Sequence, residues 1–77
     1  MSPANALAKA IKKAGSQTNL AKLLGTRQST VHKWLYEQGK APANYVIAIH
    51  DLNLGVTAHD LRPDLYNKKR VVILEAA

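Results

Sequence analysis

Residues 17–35, QTNLAKLLGTRQSTVHKWL, decide the fold. Leu20, Leu23 and Leu24 recur at helical spacing, as do Val31, Trp34 and Leu35 further on, so the stretch reads as two short helices. Helices that cross steeply through a short turn need a small side chain at the crossing, which Ala21 supplies. They also need a residue tolerant of a left-handed backbone where the first helix ends, which Gly25 supplies.

Working outward, Ser2 as N-cap and Pro3 at the first helical position open a first helix, closed by Gly15. Ala4, Leu7, Ala8, Ile11 and Ala14 share one face of it, while Lys9, Lys12 and Lys13 fall largely elsewhere. Ser16 caps a second helix to about Leu24, with Leu20, Leu23 and Leu24 inward. Thr26 is the expected N-cap of a third, from Arg27 to about Gln38, ended by Gly39. Pro42 starts a fourth through about Asn53, which Gly55 stops. Thr57 and Asp60 have the spacing of a capping box for one further turn before Pro63. The expected fold class is all-α: five short helices with a central helix-turn-helix over residues 1–66, followed by a tail, 67–77.

The tail combines Lys68, Lys69 and Arg70 with Val71, Val72, Ile73 and Leu74, a run with strand preference and no partner strand in the chain. A lone strand cannot satisfy its backbone. Three fates stay open: pairing with its counterpart in a dimer, packing on the core as a helix extension, or remaining mobile. Pairing or packing across a dimer is preferred. The basic triplet could follow a groove as an arm, although charge near a terminus is usually just solvated.

Seventy-seven residues allow one core. Cysteine is absent, which excludes disulfides and thiolate metal sites. With neither a signal-peptide apolar region nor a long apolar run, the expectation is a cytoplasmic protein. Eleven Lys and Arg stand against five Asp and Glu, a net charge of +6. Residues 1–40 hold seven of the basic side chains and one acidic one, Glu37. The positive charge therefore gathers around the two-helix unit, which points to a polyanion partner.

Val31, Trp34 and Leu35 mark the core side of the third helix. Gln28, Ser29, His32, Lys33 and Tyr36 fall opposite, every one able to form a hydrogen bond and none acidic. Gln28 can offer donor and acceptor together to adenine N6 and N7. Ser29 suits a base edge or a phosphate, and His32 and Lys33 can reach guanine acceptors or the far strand. Arg27 sits at the rim as a phosphate clamp. Gln17 opens the second helix, where free backbone N–H groups favour a phosphate oxygen. Lys22 and Lys40 add non-specific phosphate contacts, and Tyr36 is either a phosphate contact or an idle surface ring.

The order Gly15-Ser16-Gln17, Leu20-Ala21, Leu24-Gly25, Gln28-Ser29, Val31, Lys33-Trp34-Leu35, Ala41-Pro42-Ala43 and Asp60-Leu61-Arg62-Pro63-Asp64-Leu65-Tyr66 resembles the Cro and YdaS-like group of phage and prophage DNA-binding proteins. The likeness covers roughly residues 5–66. Its helix-turn-helix portion is shared with many phage repressors, and DLRPDLY is its more particular mark. It implies a lambda-repressor-like, sequence-specific repressor whose second helix of the pair lies in the DNA major groove. It also implies that Gln17 braces Gln28. Some members are associated with toxin–antitoxin pairs, so an antitoxin-like component that autoregulates its operon and binds a protein partner is the alternative.

The fourth helix is apolar nearly all round, with Ala43, Val46, Ile47 and His50 on one side and Tyr45, Ala48, Ile49 and Leu52 on the other. The expectation is a homodimer on double-stranded DNA, formed through Tyr45, Ile49, Leu52, Val71, Val72, Ile73 and Leu74. Enzyme chemistry is not expected. His32, His50 and His59 lack metal-ligand spacing, no paired carboxylate motif accompanies them, and no cofactor or small-molecule ligand is called for. The first helix lacks the aromatic anchors of a membrane-surface segment.

Overall fold

The computed structural model describes residues 2–66, which form helices α1 (Pro3–Ala14), α2 (Gln17–Leu24), α3 (Gln28–Lys33), α4 (Ala43–Asp51) and α5 (Ala58–Leu61). A π-helical turn, Trp34–Gln38, continues α3 without a break. No strand occurs among the described residues, and the expectations for residues 67–77 fall outside them.

Each helix begins and ends for a local reason. The Ser2 hydroxyl accepts from the Asn5 N–H at 3.2 Å, and the Ser16 hydroxyl from the Asn19 N–H at 3.0 Å. Gly15 ends α1 at φ +111°, and a Cβ there would lie 2.8 Å from Asn19 Nδ2. That amide is itself engaged, donating to the Ala14 carbonyl at 3.2 Å, so the α1–α2 corner is tied on both sides. At the end of α2, Gly25 is left-handed at φ +71°, its N–H donating to the Lys22 carbonyl and the Thr26 N–H to that of Ala21. These paired bonds are a Schellman closure. The Thr26 N–H belongs to that closure, and α3 starts one residue later than its sequence implies. Arg27 takes the N-cap position without a side-chain bond.

The core joins Ala6, Leu7 and Ala10 of α1, Leu20 and Ala21 of α2, Val31 and Trp34, then Ala41, Val46, Ile49, Val56 and Leu61. Helix α1 therefore turns Ala6 and Ala10 inward and leaves Ala8 exposed, a rotation of the expected face. Alanines fill both sides of α1 and give the pattern little contrast, so contact with α2 and α5 sets the rotation. Leu23 also departs from expectation: it is 54% exposed. Leu20, Ala21 and Leu24 centre the packed stripe, and Leu23 lies roughly 100° round the helix from that centre.

Helix α4 ends at Asp51, and Asn53 leaves it at φ +56°, a left-handed conformation asparagine tolerates better than most residues. Val46 and Ile49 are wholly buried, whereas Ile47 is 46% exposed. Ile49 is thus a correction to the expected dimer contacts, because it is spent inside its own subunit. Tyr45 and Leu52 are half-buried against the same core, and the Tyr45 ring lies 4.9 Å from that of Trp34. Helix α4 packs against α2 and α5.

The last turn is held by polar bonds. The Thr57 hydroxyl accepts from the Asp60 N–H at 3.2 Å while the Asp60 carboxylate accepts from the Thr57 N–H at 3.0 Å, the capping box that the spacing implies. The Ala58 N–H donates to His50 Nδ1 at 3.1 Å, joining α5 to the end of α4. Arg62 then grips Asp64 through two parallel bonds of 3.0 and 2.9 Å and gives Nη1 to the carbonyl of Ala41 at 3.1 Å.

Candidate nucleic-acid interface

With Val31 and Trp34 anchored in the core, the opposite side of α3 is held facing water. Gln28, Ser29, His32, Lys33 and Tyr36 are all exposed, as their helical spacing implies. The Gln28 Nε2 donates to Gln17 Oε1 at 2.6 Å, so the amide side chain nearest the start of α3 is oriented by the first residue of α2. One turn later the His32 and Tyr36 rings meet at 4.6 Å. Arg27, Lys22 and Lys40 are exposed, and Gln17 is half-buried.

Electrostatics complete the surface. All seven basic side chains of residues 1–40 are exposed, and no buried polar or charged side chain occurs among the described residues. Two of the carboxylates lie at the far end of the chain and are already engaged. The Arg62 guanidinium holds the Asp64 carboxyl down at about 2, and the same bond raises Arg62. The Thr57 backbone N–H holds Asp60 below the usual carboxylate range, with smaller help from the Thr57 hydroxyl and His59.

The structure brings together Gln17, Gln28, Ser29, His32, Lys33 and Tyr36 along α3 and its entry. It also shows three bonds to which the sequence reading gave no part: Asn19 to Ala14, His50 to the Ala58 N–H, and Arg62 to Ala41. The last is foreshadowed by the DLRPDLY run, although its target lies 21 residues upstream and nothing in the run names it. Among the described residues, no group of three or more His, Asp or Glu is placed to hold a metal ion. No helix among them is long and apolar enough to cross a membrane.

Comparison with known proteins agrees with this geometry. The chain is similar to the Cro protein from prophage element Xfaso 1 in Xylella fastidiosa strain Ann-1, with 41% identity and a TM-score of 0.77. The likeness covers 82% of this chain and 97% of that one. A search among curated proteins found no match. The profile of a family described as bacterial toxin YdaS matches residues 7–70. That span takes in the whole helix-turn-helix and the Arg62 clamp behind it, and the chain therefore belongs to the YdaS family, on a Cro-like phage helix-turn-helix fold.

Proposed function

We propose that this protein is a sequence-specific transcriptional regulator of the Cro type, a repressor that lays α3 in the major groove of a palindromic operator. The observation that carries the reading is the outward side of α3. It is exposed, free of acidic groups, and equipped with a Gln28 amide already oriented by Gln17. Gln28 reads adenine N6 and N7, Ser29 and His32 reach neighbouring base edges, and Lys33 reaches a base or the far strand. Gln17, Lys22, Arg27 and Lys40 hold the phosphates, with Tyr36 at the end of the same face.

In this reading two copies bind successive major grooves about 34 Å apart. The half-buried Tyr45 and Leu52, the exposed Ile47 and residues 71–74 provide the apolar contact between them. The protein acts in the cytoplasm, on nucleoid DNA. Selection from a random duplex library at physiological salt tests this directly. The expected result is a two-fold symmetric consensus, and Gln28→Ala then loses about 1–3 kcal/mol of preference at one base pair. An unchanged ratio of operator to random binding refutes the role of Gln28, and light scattering that finds only monomer at high micromolar concentration refutes the dimer.

The family description is compatible with a second reading, an antitoxin-like component of a toxin–antitoxin pair that autoregulates its operon and binds a protein partner. The two separate on the α3 face. If overproduction slows growth and the Gln28→Ala, His32→Ala double variant does so equally, the effect is not exerted through base reading.

A further inference from the structure

Side chains on the outward face of α3 come in couples. Gln28 is held by Gln17, and one turn on the His32 ring lies against Tyr36 with centroids 4.6 Å apart and planes tilted by 42°. Tyr36 is 68% exposed, so the core makes no use of it. Packing is left to Trp34 and Leu35 just before it.

The backbone explains how the two rings meet. In an α-helix a residue four places on lies about 40° round from directly above the first. From Trp34 the chain winds as a π-helical turn, looser than an α-helix, which reduces that offset and brings Tyr36 over His32. Gly39 at φ +71° and the Lys40 N–H bonded to the Trp34 carbonyl at 3.0 Å close the widened turn.

We propose that Tyr36 is a positioning residue for His32: its ring, rather than its hydroxyl, holds the imidazole in the orientation that reads a purine acceptor in the major groove. This rests on the DNA-reading role above and adds to it a specificity determinant that touches no base. A neutral imidazole has a single N–H to donate, so its orientation decides which edge it can address. Guanine N7 and O6 present such acceptors. Ordering a free side chain at an interface weakens binding, and a ring contact formed beforehand removes part of that cost. Tilted aromatic pairs at this spacing attract one another.

The test uses the full chain and the duplex that wild type selects from a random library. Wild type, Tyr36→Ala, Tyr36→Phe, His32→Ala and the double His32→Ala, Tyr36→Ala are titrated against that duplex and its single-base-pair variants. Tyr36→Ala is expected to cut preference by about three- to tenfold at one base pair, the one His32→Ala also affects. Tyr36→Phe keeps the wild-type preference, and Tyr36→Ala adds nothing once His32 is gone. Unchanged Trp34 emission separates these effects from unfolding.

Phenylalanine behaving like alanine would identify a hydroxyl–phosphate contact and overturn the proposal. A uniform weakening across all duplexes, or additive losses in the double variant, overturns it equally. Should wild type select no sequence, the DNA-reading role falls and this inference with it. Should wild type and Gln28→Ala behave as proposed while Tyr36→Ala keeps full preference, this inference alone falls.

Discussion

Replacing Arg62 by methionine separates a buried bond from an exposed ion pair. The Arg62 side chain is 12% exposed, and it makes three bonds: two to Asp64, which is half in water, and one to the carbonyl of Ala41. Ala41 is wholly buried, and its oxygen loses this donor when Arg62 is replaced. A buried acceptor left without a donor costs about 1–3 kcal/mol, whereas an exposed pair contributes little. Methionine keeps much of the apolar stem, so lost packing adds only modestly. Against a total stability of about 4–12 kcal/mol for a chain of this size, the loss is large. It corresponds to a fall in Tm of about 5–20 °C. Asp64→Asn removes the pair and leaves the Ala41 bond, and its Tm should change far less. Ala41 follows the turn that ends α3, so Arg62→Met should also loosen the recognition surface and weaken DNA binding. Thermal unfolding followed by Trp34 emission measures both variants. Equal shifts for Arg62→Met and Asp64→Asn would refute the reasoning, since they would place the energy in the pair rather than in the buried carbonyl.

Acid should find the same clamp. Asp60 and Asp64 are held below their ordinary value of 3.8, Asp64 at about 2, so what each contributes is fully present above about pH 5 and is lost as pH falls through the range below, a small loss at Asp64 because water screens it. Asp64→Asn should flatten that part of an acid titration followed by circular dichroism. Gly15→Ala meets both a positive φ and the Asn19 amide at 2.8 Å, and should lose about 1–2 kcal/mol in urea unfolding. Gly25→Asn, with open space at its Cβ and a conformation asparagine can adopt, should lose less than that. Lys22→Ala should weaken all duplexes alike and reduce the slope of log affinity against log salt by about one, without altering base preference.

Much of residues 2–66 was legible because its punctuation is local. Ser2, Ser16, Gly15, Gly25, Gly39 and the Thr57–Asp60 pair act within a few residues of themselves, and each ends or begins a helix where its chemistry requires. The outward side of α3 was readable for a related reason. Val31 and Trp34 are large, their neighbours are polar, and a helix with such contrast has one way to face.

Contrast fails in α1 and α4, and there the sequence ran out. Alanine on several sides of α1 left its rotation to the helices packed on it. The apolar surface of α4 invited a partner for Ile49, but the neighbouring helices bury that residue and leave Ile47 outside. The bonds Arg62 to Ala41 and His50 to Ala58 span 21 and 8 residues. The residue type foretells the capacity for such a bond, but its target depends on how the helices pack. What the sequence determined by itself was therefore the helices, most of their caps and the polar outward side of α3, all products of short-range periodicity. The tertiary structure alone decided which apolar residues α4 keeps for the core and which distant groups His50 and Arg62 bond. Those outcomes depend on surfaces that exist only once the helices have met.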